Sequence, residues 1–329
     1  MRRTLYSILL LAIMFLAAPY LIIRITAPEA AREAVGLITL VEPVERSQAP
    51  DSAHIRPPPI ELDDFERYLI GVVAAEMPAL FHIEALRAQA VASRTYALYA
   101  MGVLGMEVFD HSRISEIWQA YISEDEMRRR WGDGFYTHFA TVSEAVSSTA
   151  GEILVYNGEP IVAVFHAWSG GMTEYSANVW SEQRPYLISV NSDFYSHRTD
   201  FEQVLEFSGN EFISLLRQEF HDIVFEGGDI ISQIIIDSRS RAGYVTDVTV
   251  GNKKMDGALL RRVLGLRSTN FTVSRELDKI IFRTKGYGHG AGMSQVGANA
   301  LAQQGYDYVR ILLHYYTGVQ LVRTDALFY

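Results

Sequence analysis

Two helical patterns of apolar residues flank a proline between residues 62 and 99. The first pattern recurs at i, i+3 and i+4, at Leu69, Val72, Val73 and Met77. Asp63 stands where the N-cap of such a helix is expected, and Pro78 disfavours helical geometry at the residue before it. The sequence therefore predicts a helix that begins after Asp63 and ends close to Glu76.

Glu66 follows Asp63 by three residues, a spacing that predicts a capping box at the start of this helix. The second apolar pattern runs from about His82 to Tyr99 and is rich in alanine. Alanine favours helix and permits close packing between helices. The stretch is therefore expected to form two helices joined by a short turn.

Glu76 falls on the apolar face of the first predicted helix, at its end. A half-buried carboxyl group loses part of its hydration there, which raises its pKa and suits it to act as a general acid. The position is equally compatible with a solvated glutamate, or with one paired to Arg94 or Arg87. The pattern alone leaves these interpretations open.

The chain begins with an uncharged apolar run, Leu5 to Ile23, which is about long enough to cross a bilayer as a helix. Arg2 and Arg3 precede it, so the N-terminus is predicted to be cytoplasmic and the C-terminal part extracytoplasmic. No A-x-A cleavage site ends the run, which favours an uncleaved anchor over a signal peptide. We therefore predict a single-pass cell-membrane protein anchored by residues 1–27.

Residues 28–60 contain scattered prolines and a triple proline at 57–59, which favours an extended polyproline II segment. We predict a linker there, followed by one folded catalytic domain over residues 61–329. Helical patterns occur near both ends of that domain, and strand patterns between them do not alternate regularly with helices. The expected fold class is α+β, with mixed helices and antiparallel β-hairpins.

The clearest hairpin signal is Asn157-Gly158 between two apolar runs, because this dipeptide suits a type I′ turn. Further helices are predicted over residues 124–130, 141–149, 209–220, 257–264, 296–304 and 308–315. Strands or extended segments are predicted over residues 186–190, 229–237, 244–250, 271–273, 279–284 and 319–322.

Composition narrows the possible functions. The 329 residues carry a formal net charge of -10, which argues against binding nucleic acid through its phosphates. The chain has no cysteine, so disulfides, thiolate catalysis and cysteine-ligated zinc are excluded.

Two glycine-containing turns form a second candidate site. Residues 166–174 read HAWSGGMTE, and residues 286–295 read GYGHGAGMSQ, with four glycines around His289. Glycine lets the backbone turn tightly and approach a ligand closely. We therefore expect the two turns to line a substrate groove.

Other interpretations of these turns are weaker but remain open. The ligands of a metal site would be His166, His289 and either His111 or Glu174, but no local ligand pair is present. A serine–histidine–acid triad would use Ser169 or Ser294, but neither lies in a nucleophile elbow. The glycine loop lacks the spacing of a phosphate-binding motif. A histidine with a structural role is also possible.

The order and spacing of several motifs resemble those of the stage II sporulation protein D family, which includes the amidase enhancers. The matching stretches are residues 68–78, 84–96, 166–174, 185–187, 264–268 and 286–297. They include Glu-Met-Pro at 76–78 and Ala-Ser-Arg-Thr-Tyr at 92–96. Together they extend over nearly the whole predicted domain.

The resemblance implies a lytic transglycosylase that cleaves peptidoglycan between N-acetylmuramic acid and N-acetylglucosamine and leaves a 1,6-anhydro sugar, in engulfment during sporulation. It implies that Glu76 is the catalytic acid and that Arg94 is functionally important. With Glu76 in that role, we expect it to converge with the two glycine-containing turns in one open groove. A direct contact of Arg94 would lower the pKa of Glu76, so we expect an indirect relation. The residues expected to bind glycan are Tyr68, Tyr96, His166, Ser169, Gly170, Gly171, Thr173, Glu174, His289, Gly290, Ser294 and Gln295.

The implied partners are glycan strands stripped of peptides, a cell-wall amidase of the stage II sporulation protein P type, and the membrane. No cofactor is expected. Many family members carry a cysteine and histidine cluster before a Gln-Ala-Tyr motif, and some bind zinc there. Here residues 110–121 hold His111 and Gln119-Ala120-Tyr121 without cysteine, so that metal site is not expected. Ser181 also replaces a usual glycine. A non-catalytic, glycan-binding activator of an amidase is the alternative function.

Overall fold

The computed structural model describes residues 63–106, 109–117, 119–180, 182–194 and 202–324. The predicted anchor at 1–27, the predicted linker at 28–60 and Ser181 lie outside the described residues. Within the described ranges, no helix has the length and apolar character needed to span a membrane.

The helices of the described chain are named here in chain order, and most of them contribute to one of two hydrophobic cores. They are α1 (Asp64–Glu76), α2 (Ile83–Val103), α3 (Glu124–Trp131), α4 (Phe135–Ser147), α5 (Ser176–Trp180), α6 (Gly209–Glu219), α7 (Gly257–Leu264), α8 (Gln295–Gln303) and α9 (Tyr308–Tyr315). Helices α1, α4, α8 and α9 pack around α2, and their apolar faces form the first hydrophobic core. Helices α6 and α7 pack on each other in a second core that includes Phe212 and Phe282.

The strands form small, mostly antiparallel sheets. They are β1 (Glu152–Tyr156), β2 (Glu159–Pro160), β3 (Phe165–His166), β4 (Gln203–Ser208), β5 (Ile234–Arg239), β6 (Val245–Val250), β7 (Lys253–Asp256), β8 (Phe271–Glu276), β9 (Lys279–Thr284), β10 (Met293–Ser294) and β11 (Gln320–Arg323). The sheet orders are β11-β1-β2, β4-β9-β8 and β5-β6-β7, and all of these pairs are antiparallel. The short pair β3–β10 is parallel. The α+β prediction with antiparallel hairpins is confirmed.

Local signals set the bounds of α1. The Asp63 carboxylate accepts a hydrogen bond from the Glu66 amide at 2.8 Å, and Met77 at the other end is extended. The predicted start and stop of the helix are therefore confirmed. The capping box is not, because the Glu66 carboxylate binds Arg94 instead of returning to the Asp63 amide.

The turn at residues 157 and 158 has the predicted form. Asn157 and Gly158 both have positive φ, 54° and 85°, as a type I′ turn requires. The returning strand β2 is only two residues long. Residues 186–190 form no regular strand. Residues 231–233 form a 3-10 turn, so the strand predicted over 229–237 begins only at Ile234. Helix α5 and strands β4 and β7 were not predicted.

Candidate functional site

Glu76 lies at the last residue of α1 with its side chain half buried. Its Oε1 accepts a hydrogen bond from the Ala120 amide at 3.1 Å. Burial raises the pKa of the Glu76 carboxyl above its ordinary value, and the Ala120 hydrogen bond offsets part of that rise. Arg94 and Arg87 are bound to other glutamates, so the paired interpretation of Glu76 does not hold among the described residues.

The extended segment 119–122 holds the Ala120 amide over the end of α1. Its Ile122 amide donates to the carbonyl of Gly71 at 3.2 Å, and the Tyr121 ring stacks on Tyr68 with the centroids 5.7 Å apart. Gly71 allows this close approach, because an added Cβ would lie against the Tyr121 ring and 2.8 Å from the Ile122 carbonyl oxygen. The position of the Glu76 hydrogen bond therefore depends on a glycine in the middle of α1.

Tyr68 and Tyr96 differ in exposure, and Tyr68 lies near enough to Glu76 for the charge of the glutamate to act on its hydroxyl. Tyr68 is only 1% exposed, and its hydroxyl donates to Gln119 Oε1 at 3.2 Å. Burial and the nearby charge of Glu76 raise the pKa of the Tyr68 hydroxyl. Its ring is not available to stack on a sugar, so we assign it to support the segment 119–122. Tyr96 on α2 is half buried and remains a candidate for ligand contact.

Arg94 is a buried ion-pair partner at the opposite end of α1. Its Nε and Nη2 donate to the two carboxylate oxygens of Glu66 at 2.8 and 2.7 Å, and its exposed fraction is 1%. Further donation to the carbonyls of Glu152 (3.1 Å) and Val146 (3.2 Å) joins α2 to β1 and α4. Glu66 and Glu76 are about 15 Å apart along the helix axis. Arg94 therefore positions α1 and does not present its guanidinium to a ligand.

The two glycine-containing turns converge, as predicted. Phe165 and His166 pair with Met293 and Ser294 in the β3–β10 pair. The His166 and His289 rings consequently lie side by side, with centroids 5.7 Å apart and the ring planes inclined at 54°. The Trp180 ring of α5 lies 4.9 Å from His289 and is 44% exposed.

Both histidines are held in neutral form. Since the Ala291 carbonyl can only accept, His166 Nδ1 donates to it at 3.1 Å, which leaves Nε2 unprotonated and without a partner among the described residues. His289 Nδ1 accepts from the Ala291 amide at 3.1 Å, and its ring also bonds the Phe165 carbonyl. Burial lowers the pKa of His166 to about 3 and that of His289 to about 4. This region therefore offers hydrogen-bonding groups without a histidine charge.

The remaining residues of the first turn are tightly packed. Gly170 and Gly171 turn the chain, and Gly171 has φ 122°. Glu174 is buried, and its Oε1 accepts from the Tyr175 amide and from Asn178 Nδ2 at 2.7 and 2.9 Å. Its Oε2 and the Ser169 hydroxyl are buried without hydrogen-bond partners in the described chain. The Ser169 hydroxyl consequently lacks the base that a serine–histidine mechanism requires.

Several predicted ligand contacts instead serve the fold. Thr173 Oγ1 donates to the Ile188 carbonyl at 3.1 Å, and the Ser294 hydroxyl caps α8 by accepting from the Gly297 amide at 3.2 Å. Gly290 has φ 86°, and a Cβ there would lie 2.6 Å from the ring of Tyr244. These positions shape the turns rather than expose polar groups.

A chain of side-chain hydrogen bonds links the glycine loop to the segment over Glu76. Gln295 donates to Gln89 at 3.3 Å, Gln89 donates to the Ser93 hydroxyl at 3.0 Å, and Gln119 donates to the Ser93 carbonyl at 3.2 Å. No hydrogen bond or ring contact of the described residues joins Glu76 directly to His166 or His289. The two glycine-containing turns therefore meet each other. The segment over Glu76 is linked to them through Gln89 and Ser93 of α2.

Sequence reasoning missed four contributors: Ala120, Trp180, Tyr244 and Arg261. Ala120 lies within the Gln-Ala-Tyr motif, but it acts through its backbone amide, which every residue except proline has, so its identity does not predict the role. Arg261 lies on α7, near enough for its charge to lower the pKa of both histidines. Nothing in the local pattern of α7 marks that position. Across the ranges that the structure describes, no group of three or more histidine and acidic side chains is placed to hold a metal ion.

Comparison with known proteins gives two kinds of match. Residues 59–156 match the family model described as stage II sporulation protein. The stage II sporulation protein D of Bacillus subtilis is 35% identical over 81% of this chain and 77% of its own length. That of Bacillus amyloliquefaciens is 36% identical over 81% and 76%. The amidase enhancer of Bacillus subtilis is 29% identical over 77% of this chain but 40% of its own length.

Proposed function

Because this chain belongs to the stage II sporulation protein D family, we propose that it is a membrane-anchored lytic transglycosylase that cleaves peptidoglycan glycan strands during engulfment. The observation that carries the proposal is the state of Glu76. The carboxyl is half buried, it has a raised pKa, and it accepts one hydrogen bond from a backbone amide. A glutamate in that state holds its proton more tightly than an exposed glutamate does, as a general acid requires.

A single carboxyl group is sufficient for this reaction. Glu76 donates its proton to the glycosidic oxygen as the bond to C1 of N-acetylmuramic acid breaks. The C6 hydroxyl of the same sugar attacks C1 in place of water, and the Glu76 carboxylate accepts the hydroxyl proton. The products are a free 4-hydroxyl on the leaving sugar and a 1,6-anhydro ring. An ordinary glycosidase would need a second carboxylate to activate water or form an intermediate.

The surroundings of Glu76 support this assignment. The Ala120 amide binds the Glu76 carboxyl, and Tyr68 supports the segment 119–122 through its hydrogen bond to Gln119. Tyr96 is half buried, and we assign it to contact a sugar. We assign the turns around His166 and His289 to binding, because their histidines are neutral and Trp180 offers an exposed ring. Residues 1–27 would hold this domain at the outer face of the cell membrane, beside an amidase that removes peptides.

The direct test uses the Glu76→Gln variant of the full-length protein with peptide-free glycan strands as substrate. The amide keeps an oxygen for the Ala120 hydrogen bond but cannot donate a proton to the glycosidic oxygen as an acid. We expect the release of anhydro-muramyl products, measured by mass spectrometry, to fall by at least about a hundredfold while glycan binding persists. Glu206→Gln, which removes an exposed glutamate on β4, serves as the control and should cleave normally.

Two results would contradict this proposal. One is a Glu76→Gln variant that cleaves as fast as the wild type. The other is a wild-type product with ordinary reducing ends, because hydrolysis adds water and gives no anhydro ring. Cleavage of bound glycan should also decline as the pH rises through the Glu76 pKa, since the acid form is then lost.

The relative named amidase enhancer favours one second candidate, a glycan-binding activator that does not cleave. In that case the wild type would bind peptide-free strands without anhydro products. It would also increase the rate at which a cell-wall amidase releases peptides, and Glu76→Gln would retain that effect. The same variant and substrate therefore separate the two candidates.

A further inference from the structure

The hydrogen bond between the Ala120 amide and the Glu76 carboxyl lies where water can reach it. Ala120 is exposed and Glu76 is only half buried, and the two bonded atoms are 3.1 Å apart. A single hydrogen bond that exchanges with water holds its two groups together weakly. The Ala120 amide therefore needs other contacts to stay directed at the carboxyl.

Few backbone contacts hold the start of the segment 119–122. Among the described residues, the backbone of 119–121 forms no hydrogen bond with other backbone groups, and the Ile122 amide is the first to do so, with Gly71. The Ile122 side chain is also buried. The end of the segment is thus fixed, while the peptide group that joins Gln119 to Ala120 has no such tether in the described chain.

The Gln119 side chain holds this peptide group to two helices. Its Nε2 donates to the Ser93 carbonyl of α2 at 3.2 Å, and its Oε1 accepts from the Tyr68 hydroxyl of α1 at 3.2 Å. Because a carbonyl can only accept, the two bonds determine which end of the side-chain amide faces each helix. One side chain thus joins α1 and α2 directly beside the peptide nitrogen that binds Glu76.

Both partners of Gln119 belong to the packed core. Tyr68 and Ser93 are buried. The Ser93 hydroxyl accepts from Gln89 at 3.0 Å, and Gln89 accepts in turn from Gln295 of α8 at 3.3 Å. The Gln119 amide therefore connects an exposed segment to groups whose positions are set by helix packing.

We propose that Gln119 is a positioning residue, which holds the Ala120 amide in place and thereby fixes the geometry of the Glu76 carboxyl. The inference rests on the proposed function for the reaction that this carboxyl performs. A hydrogen bond to one carboxyl oxygen leaves the other oxygen to carry the proton toward the glycosidic oxygen. A misplacement of about 1 Å at such a donor lowers the reaction rate strongly.

Gln233 offers a matched control for a purely structural role. It is also half buried and holds a loop by the same chemistry, because its Oε1 accepts from the Glu226 amide at 2.8 Å and its Nε2 donates to the Glu226 carbonyl at 2.9 Å. Gln119→Met and Gln233→Met should therefore lower the urea midpoint to a similar extent. Only the first should change the Glu76 site.

The first measurement follows the Ala120 amide by NMR and needs no cleavage. Glutamine labelled with 13C at the carbonyl and alanine labelled with 15N select the three Gln–Ala pairs of the full-length protein, at 48–49, 89–90 and 119–120. The Ala120 amide proton should shift as Glu76 ionises, and this shift should be absent in Glu76→Gln. Gln119→Met, with methionine labelled instead, should lose most of the shift, and Gln233→Met should retain it.

Other ionisable side chains lie on the segment, on α2 and in the turn after α1. They are Tyr96, Tyr121, His82 and the exposed His111, whose ring centroid lies 6.0 Å from that of Tyr121. The basic groups Arg87 and Arg94 of α2 bind other glutamates. Glu76→Gln retains all of these groups, so its difference from the wild type reports Glu76 alone.

The second measurement is the cleavage rate per folded molecule. Gln119→Met should lower kcat about tenfold or more and leave KM for peptide-free glycan nearly unchanged. Its cleavage should also persist to higher pH, since loss of the Ala120 bond raises the pKa of Glu76 further. Gln119→Asn keeps an amide that is one methylene too short to reach both helices, and it should behave in the same way.

The proposal is overturned if the Ala120 amide shifts equally with pH in the wild type and in Glu76→Gln, a result that depends on no variant of Gln119. It is also overturned if Gln119→Met retains the wild-type shift, or loses it and still cleaves at the wild-type rate. Failure of the proposed function gives a different result. The wild type would then release no anhydro products, while the Ala120 shift would still depend on Gln119.

Discussion

Each end of helix α1 has a glutamate, and the two carboxyl groups differ in burial and in the donors that surround them. Glu66 near the start is 7% exposed and receives two guanidinium hydrogen bonds from Arg94 and one from the Gly151 amide at 3.3 Å. Glu76 at the end is half buried and receives one hydrogen bond, from the Ala120 amide. Both glutamates lie on one helix, so the difference comes from what other elements bring to each end.

The number and charge of the donors decide which glutamate is suited to chemistry. A buried carboxylate whose oxygens bind a fixed guanidinium and a backbone amide links the elements that supply those donors, as Glu66 does. A carboxyl with one neutral donor and little water has a raised pKa, and its proton is available. Glu66 therefore secures α1 against the helices around it, and that leaves Glu76 in a fixed position at the other end.

The largest predicted effect is at the Glu66 end. Arg94→Ala leaves the Glu66 carboxylate buried without its cation and removes the donors to the Glu152 and Val146 carbonyls. We expect a loss of about 3–5 kcal/mol in the free energy of unfolding, measured by urea denaturation. Arg87→Ala on the same helix removes a more exposed partner of Glu84 and should cost about 1 kcal/mol or less.

A second variant distinguishes a positioning role of Arg94 from a catalytic one. Replacing both partners, as Glu66→Leu with Arg94→Met, removes the charges together and should recover part of the stability lost in Arg94→Ala. The folded double variant should still release anhydro products at a measurable rate. A double variant that is stable and binds glycan, but is as inactive as Glu76→Gln, would instead place Arg94 in the chemistry.

An intermediate effect is expected where the segment 119–122 crosses α1. In Gly71→Ala the new methyl group would lie 2.8 Å from the Ile122 carbonyl oxygen and against the Tyr121 ring, so the segment must move. We expect a loss of about 1–3 kcal/mol in unfolding free energy and a decrease of about tenfold or more in cleavage rate, because the Ala120 amide shifts from Glu76.

Gly102→Ala is the matched control, because it lies in α2 and an added Cβ has open space. It should keep full activity and gain up to about 1 kcal/mol in stability from helix propensity. If Gly71→Ala lowers stability but leaves the cleavage rate per folded molecule unchanged, the Ala120 hydrogen bond is not needed to position Glu76.

Local signals in the sequence were sufficient for the bounds of α1, for α7 with Gly265 after it, and for the turn at Asn157. Each depends on residues within a few positions of one another. The different fates of Glu66 and Glu76 could not be predicted in this way. Their partners lie 28 and 44 residues away in the chain, and the local capping rule assigned Glu66 to a partner that it does not bind.

The second region shows the same limit. The glycines around His289 predicted a close approach of backbone, and the parallel β3–β10 pair provides one. Which side chains would line the resulting site depended on α5 and α7, which place Trp180 and Arg261 there. Those contacts follow from the packing of elements that are distant in sequence, and helical periodicity carries no information about them.

The smallest predicted effect is a pH dependence of stability at Glu76. Since folding raises its pKa, the folded protein binds this proton more tightly than the unfolded chain does. The resulting stabilisation is fully present below the ordinary glutamate pKa and is lost as the pH rises through the raised one. Gln cannot ionise. Relative to Glu76→Gln, the wild type should therefore lose stability across that window.

Urea denaturation of both proteins at a series of pH values, with the slope of each transition checked for constancy, measures this difference. Glu206→Gln removes an exposed carboxylate from β4 and accounts for the general effect of surface charge. A wild type that instead gains stability over Glu76→Gln as the pH rises would mean that the folded state favours the Glu76 carboxylate. The proton on which the acid role of Glu76 depends would then be held less tightly in the folded protein than in the unfolded chain.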